Sequence, residues 1–248
     1  MSVVTANNLK KSFKKRIVVK GVNIRIHSGE IVGLLGRNGA GKTTTFKMIV
    51  GLLKPDSGAN YLDDTNISNF TTPQRSEKGI IYLPQENSVF LKTNVKNNLK
   101  LILELQGHPK ERQETIAHNL LQELGLLSLS KQPAHSLSGG ERRKLEICRS
   151  LLLNPKFLLL DEPFTGIDPL TIIELQKILN NLKNKGMGIL LSDHNVGDTF
   201  KIADRVYIID EGKILIEGKP HDVAKDETAK IKFLGKNFQM EELYRAPH

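Results

Sequence analysis

The chain has 248 residues, 39% of them hydrophobic, which suits one large domain or two lobes around a real core. Its apolar runs, such as Phe157-Leu158-Leu159-Leu160, fall far short of the about 20 residues needed to span a bilayer, and a single cysteine excludes an intrachain disulfide. The formal charge of +9 is dispersed apart from Lys10, Lys11, Lys14, Lys15 and Arg16; with aromatics at 5%, it reads as a solvated basic surface near phosphates and lipid headgroups, and no nucleic-acid partner is expected.

Met1 to Asn8 lacks a basic segment followed by an apolar one, so no secretory signal is read and a cytoplasmic location is expected. Val3 to Leu9 and Gly21 to Ile26 predict short strands, the second alternating Val22, Ile24 and Ile26, which places a β-layer at the N-terminus. Glu30 to Leu35 is an apolar strand that runs straight into Gly36-Arg37-Asn38-Gly39-Ala40-Gly41-Lys42-Thr43. That spacing is a phosphate-cradling loop: the glycines let backbone N–H groups turn inward, Lys42 adds a cation for the β- and γ-phosphates, and Thr43 offers a hydroxyl to Mg²⁺. A helix from roughly Lys42 to Leu52 adds its positive dipole end to the same anion, with Thr44 in its first turn.

Lys54-Pro55-Asp56-Ser57-Gly58 is a turn, and Gly79 to Leu83 predicts a buried strand ending at Pro84. From Asn94 to about Leu129, Leu99, Ile102, Leu103 and then Ile116, Leu120, Leu121, Leu124 recur at helical spacing, predicting a helical lobe inserted in an α/β core. Ser138 and Glu141 have the spacing of a capping box, and the helix they open has free N–H groups, a second potential phosphate site. Cys148, inside it, is expected to be a small buried residue. Phe157 to Leu160 predicts a strand, Pro169 to Lys185 a helix and Met187 to Leu191 another strand, the alternation of a parallel sheet covered by helices. Ile231, Phe233, Leu234 and Phe238 predict a packed tail before a polar end.

Phosphoryl transfer to water needs a cation, a positioned water and charge stabilisation at the γ-phosphate. Asp161 at a strand end can hold Mg²⁺, and Glu162 beside it can polarise the water; a plain helix N-terminal charge is the alternative for this pair. Gln85 follows another strand, where an amide can reach metal and water, and His194 follows a third, where an imidazole can orient the water or touch the γ-phosphate. Ligands of open α/β sheets gather beyond strand carboxyl ends, so these positions are better than those of isolated residues.

Together these stretches resemble the ATP-binding cassette (ABC) ATPases. Gly36 to Thr43 matches their Walker A loop, Gln85 the Q-loop, Leu137-Ser138-Gly139-Gly140-Glu141 the signature, Phe157 to Glu162 the Walker B segment, Gly166-Ile167-Asp168 the D-loop and His194 the H-loop. The resemblance implies a P-loop NTPase core with a parallel sheet, an N-terminal antiparallel β-layer and an inserted α-helical subdomain at about 86–155. It implies a single cassette over 1–240 with a polar tail at 241–248, ATP and Mg²⁺ as ligands, and Phe13 stacked on adenine. It further implies a head-to-tail homodimer in which Ser138 and Gly140 of one subunit close over the γ-phosphate held by the other.

Gly79 to Glu86, Ser136 to Glu146, Asp161 to Pro169, Ser192 to Val196 and Phe233 to Phe238 resemble one branch in particular, the ATPases of lipopolysaccharide export. That branch implies docking on integral membrane subunits, permeases of the LptF/LptG kind, at the inner face of the inner membrane. Phe90 is then a candidate anchor, an ordinary core aromatic being the other reading; Leu91 and Arg37 depart from the residues usual beside it and in the loop. The alternatives weighed are the ATPase of a branched-chain amino acid importer, an ABC ATPase of nucleic-acid machines, and a nucleotide-binding scaffold without turnover.

Overall fold

The computed structural model describes residues 1–14, 16–86, 88–235 and 238–240. Strands β1 (Val3–Phe13), β2 (Arg16–His27), β3 (Ile31–Leu35), β4 (Ser57–Leu62), β5 (Thr65–Asn66), β6 (Ile80–Leu83), β7 (Phe157–Asp161), β8 (Gly188–Asp193), β9 (Arg205–Asp210) and β10 (Lys213–Gly218) form two sheets. The helices used below are α1 (Lys42–Ile49), α2 (Thr72–Glu77), α3 (Val95–Leu105), α4 (Lys110–Glu123), α5 (Gly139–Leu151), α6 (Pro169–Asn184), α7 (Val196–Phe200) and α8 (Pro220–Lys225).

The first sheet is antiparallel in the order β2-β1-β4-β5. Val22, Ile24 and Ile26 alternate inward as their spacing predicts, and Val4 sits opposite Ile26 and Leu62. Both N-terminal strands run longer than expected, to a hairpin whose tip carries Phe13 and Lys14; Lys15 of the basic cluster lies outside the described residues. Polar side chains at Lys10, Lys11 and Ser12 hide that extension from any hydrophobic count.

The second sheet has the order β10-β9-β3-β8-β7-β6. Its five strands from β9 to β6 are parallel, and β10 closes one edge antiparallel to β9. β3 and β7 are buried at every residue, as strands covered on both faces are. Register then fixes the site: Leu35 pairs with Asp193, Asp161 with Ser192 and Leu83 with Leu160. The residues that follow β3, β6, β7 and β8 therefore emerge along one edge of the sheet. The β9–β10 hairpin carried no expectation, although Val206 to Ile209 is an apolar run and Glu211-Gly212 is a two-residue turn. Both turn residues have positive φ, 45° and 79°, the geometry that suits such a tight hairpin.

Helices α3, α4 and α5 pack Leu99, Leu103, Ala117, Leu121, Leu145 and Cys148 into one apolar cluster with Leu158 and Leu160 of β7, joining the helical part to the sheet. Cys148 is buried as expected, and burial pushes its thiol pKa up. At the tail, Phe233, Leu234 and Phe238 pack beside Leu35, Phe200 and Val206, with the Phe238 ring edge-on to Phe200 at 5.8 Å. Ile231 corrects the expectation of a uniformly packed tail: it points outward at 61% exposure. Lys236, Asn237 and the polar end 241–248 lie outside the described residues.

Helix α1 stops at Ile49 rather than Leu52, because Gly51 takes φ 82° and a buried guanidinium occupies the space beyond. Arg75 is 1% exposed and pairs with carbonyls alone. Its Nη1 donates to Met48 O at 3.0 Å and to Ile49 O, its Nε to Phe70 O at 3.1 Å and its Nη2 to Ser68 O at 3.2 Å. Burial lowers its pKa to about 10, so it stays charged at neutral pH and complements the negative end of α1. Arg75→Ala is expected to lower the unfolding free energy by on the order of 3 kcal/mol in urea titrations, since several buried carbonyls lose a charged donor.

Candidate nucleotide site

The loop after β3 turns by glycine. Gly39 and Gly41 have φ of 79° and 110°, and a Cβ on Gly36 would stand 2.4 Å from Ile209 O. The chain then enters α1, whose first residues present their N–H groups to a cavity of about 530 Å³. Asn38, Gly39, Gly41, Lys42, Thr43 and Thr44 line it from the loop side, with Gln85, Glu162, Thr165 and His194 opposite and Val18 at one wall. Three segments far apart in sequence thus meet the phosphate loop in one space.

Not every expected residue lines that cavity. Arg37 and Ala40 instead line a second one of about 470 Å³, with Arg16, Lys20, Asp210 and Glu211, which shares Val18, Asn38 and Gly39 with the first. Gly36 is the tight contact with β9, and Phe13, 47% exposed on the hairpin, has the Lys11 ammonium 5.9 Å from its ring centre and lines neither cavity.

Lys42 is 5% exposed, and its Nζ donates to Gly36 O at 2.7 Å and Arg37 O at 3.3 Å. Burial lowers its pKa, partly offset by the nearby Glu162, Asp161 and Asp193 carboxylates. A cation held this way, with few waters, is a strong partner for an entering polyphosphate.

Asp161 is buried at the end of β7, where Ser192 Oγ donates to Oδ1 and Tyr82 OH donates to Oδ2 at 3.2 Å. Burial and that carboxylate push the Tyr82 phenol pKa up. Glu162 follows with φ 47°, a left-handed backbone unusual for a non-glycine residue and of a kind found where side chains must be aimed. Its N–H donates to Ser192 O at 2.9 Å, and its Oε2 accepts from Gln85 Nε2 at 2.9 Å. His194 Nδ1 stands 3.7 Å from the same oxygen and 3.5 Å from Asp193 Oδ1. Asp193 is fully buried, its pKa raised by burial while backbone N–H groups of Asn195 and Phe164 bind it.

The donor set suits a hard cation. Among the described residues no three of His, Cys, Asp or Glu are placed to hold a metal ion by themselves, but a hydroxyl at Thr43, an amide at Gln85 and a carboxylate at Asp161 are the sparse oxygen ligands that Mg²⁺ uses beside water and substrate phosphate.

The signature residues take up structural duties of their own. Ser138 Oγ accepts from Glu141 N at 3.2 Å and Glu141 Oε2 accepts from Ser138 N at 2.8 Å, so the capping box forms and the Glu141 carboxylate is spent on its own helix. A Cβ on Gly140 would stand 2.1 Å from Thr171 Cγ2, and Gly139 approaches Gly166 O. Asp168 caps α6 by accepting from Thr171 N at 3.0 Å and Thr171 Oγ1 at 2.6 Å, which lowers its pKa. None of Ser138, Gly139, Gly140, Glu141 or Asp168 lines the phosphate-loop cavity of the same chain. Gly140→Ala is expected to push α5 off α6 and slow ATP hydrolysis; adding Thr171→Ser, which removes the offending methyl but keeps the hydroxyl, should restore much of the rate. No restoration would mean that Gly140 acts on ligand rather than on packing.

Phe90 is 47% exposed beside Leu91, so the reading of an ordinary core aromatic is corrected. Its backbone is clamped by Asn98, which accepts from Phe90 N at 2.9 Å and donates to Phe90 O at 3.1 Å, and the Arg149 guanidinium lies 4.3 Å from the ring centre.

Residues of the site that went unmarked in the sequence are Val18, Tyr82, Thr165, Ser192 and Asp193. Ser192 and Asp193 alone had a signal, their place at the end of an apolar strand next to His194.

A family model for ABC transporters matches residues 19–165. The lipopolysaccharide export system ATP-binding protein LptB of Haemophilus influenzae is 46% identical over 242 residues, 97% of this chain and 100% of that protein. LptB of Escherichia coli K12 is 44% identical over 241 residues, again 97% and 100%. Among solved structures, the ABC transporter cassette MJ1267 in its ADP conformation superposes with a TM-score of 0.85 at 26% identity, covering 95% of this chain and 99% of that one.

Proposed function

Because the chain belongs to the ABC transporter family, among its ATP-binding proteins, we propose that it hydrolyses ATP in a homodimer to drive a transporter through separate membrane subunits. The observation that carries this is the split of the site. Phosphate loop, Glu162, Gln85 and His194 share one cavity, with Asp161 buried at the end of β7 next to Glu162, whereas the Ser138 end of α5, a second anion-binding helix terminus, lies outside it. A second copy related by a two-fold axis supplies that end to each cavity, because an isologous interface makes both contacts at once.

In this reading Lys42 and the loop N–H groups bind the β- and γ-phosphates, and Phe13 stacks on adenine. Glu162 takes a proton from the attacking water, and His194 and Gln85 orient that water and the γ-phosphate. Thr43, Asp161 and Gln85 would hold Mg²⁺, which when bound would supply charge neutralisation at the phosphates. Ser138 and Gly140 of the partner subunit close on the γ-phosphate, and Asp168 lies at the same junction.

The nearly full-length likeness to lipopolysaccharide export proteins supports lipopolysaccharide or a related envelope lipid as the cargo. The partners are then integral membrane permeases of the LptF/LptG kind, and the chain works at the cytoplasmic face of the inner membrane; among the described residues no helix is long and apolar enough to cross it. The exposed Phe90, stacked under Arg149, is the docking anchor. Residues 1–240 act as one cassette whose part at about 86–155 moves with the docked helices.

Ser138→Arg tests the split. It is expected to bind ATP at the phosphate loop with native affinity and to lose hydrolysis and ATP-driven dimerisation. Native hydrolysis by this variant would refute the shared site.

A further inference from the structure

Glu162 offers two carboxylate oxygens, and the structure treats them unequally. Oε2 accepts from Gln85 Nε2 at 2.9 Å and from Thr165 Oγ1 at 3.2 Å, with His194 Nδ1 at 3.7 Å. Among the described residues no hydrogen bond reaches Oε1. Thr165 owes its place to the backbone: Glu162 at φ 47° starts a turn that Thr165 N closes on Glu162 O at 3.4 Å, which swings the hydroxyl back toward the carboxylate. Thr165 also lines the cavity itself.

The two donors differ in origin. Gln85 follows β6, on a segment separate from the strand that carries Glu162, whereas Thr165 sits in the same turn as the carboxylate. Any displacement of the Gln85 segment leaves the Thr165 hydroxyl in reach. We propose that Thr165 is a positioning residue that holds Glu162 by Oε2 and so leaves Oε1 as the oxygen that takes the proton of the attacking water. This rests on the reading of Glu162 as the base. In the step, a water O–H bond breaks and its proton goes to Oε1, the water oxygen bonds the γ-phosphorus, and the bond from that phosphorus to the bridging oxygen breaks, with its electron pair leaving on ADP. The proton then passes to phosphate or solvent as the carboxylate is restored.

The test is steady-state phosphate release by the full chain with ATP and Mg²⁺. Thr165→Ala and Thr165→Val are expected to lower kcat about tenfold, the loss of one hydrogen bond to a charged group, with KM changed less than about twofold. Thr165→Ser should recover most of kcat, because it restores the hydroxyl. Placed on top of Glu162→Gln, Thr165→Ala should cause no further loss. An unchanged kcat in Thr165→Ala, no recovery in Thr165→Ser, or an undiminished tenfold loss in the double variant would each overturn the role. Native turnover by Glu162→Gln alone would instead remove the base itself, and the inference with it.

Discussion

Glu162→Gln is expected to bind ATP as the native chain does and to hydrolyse it roughly 10²–10⁴-fold more slowly, the range a positioned base contributes. The substitution is nearly isosteric, so the φ of 47° and the turn to Thr165 are kept, while an amide nitrogen or oxygen cannot take the proton that a carboxylate takes. In the proposed cycle closure of the dimer precedes the chemistry, so the closed form should accumulate and be visible by size-exclusion chromatography with ATP. Equal phosphate release by the two proteins would refute the assignment of the base. The neighbouring Asp161 cannot replace it, being buried and bound on both oxygens by Ser192 and Tyr82.

Lys42→Ala should lose nucleotide binding rather than turnover alone. The ammonium is buried against Gly36 O and Arg37 O, close to three carboxylates, so the loop is built around a fixed positive charge. Without it the cavity keeps its acids and loses their counter-charge, which disfavours a polyanion twice over. An increase in Kd of about a hundredfold, near 3 kcal/mol, is expected for a charge-assisted contact removed from a poorly hydrated site. Fluorescent-nucleotide titration measures it; a Kd within a factor of about two of native would place the affinity elsewhere in the loop.

What could be read from the sequence follows from how local each signal is. The phosphate loop declares itself because only glycine tolerates φ of 79° and 110° at Gly39 and Gly41, and because a strand must precede it and a helix follow. β3, β7 and β8 are legible as apolar runs because both faces of a central parallel strand are covered. Ser138 with Glu141 is legible because a capping box spans three residues. Ser192 and Tyr82 are different: each reaches Asp161 only through the register of β6, β7 and β8, and no spacing within one segment encodes that. Arg75 is hidden for the same reason, since an arginine in a polar helix looks solvent-exposed until the end of α1 is found lying on it. Gly140 was legible as a signature residue but not as the gap that admits the Thr171 methyl.

Electrostatics also explain why the site is assembled from separate segments. Lys42 and the N-terminus of α1 concentrate positive charge on one wall, while Asp161, Glu162 and Asp193 line the strand ends opposite. In the proposed reaction a polyphosphate with its cation would lie between the two walls, and water would attack from the acidic side.

Mixing Lys42→Ala with Ser138→Arg tests the shared site most directly. Each protein alone should fail to hydrolyse ATP, the first for want of phosphate binding and the second because it blocks the facing cavity. In a mixed dimer, one cavity combines the intact Lys42 of one subunit with the intact Ser138 of the other, so hydrolysis should return, at up to about a quarter of the native rate for random pairing and independent cavities. A mixture as inactive as its components, or full hydrolysis by a chain held monomeric, would contradict the account.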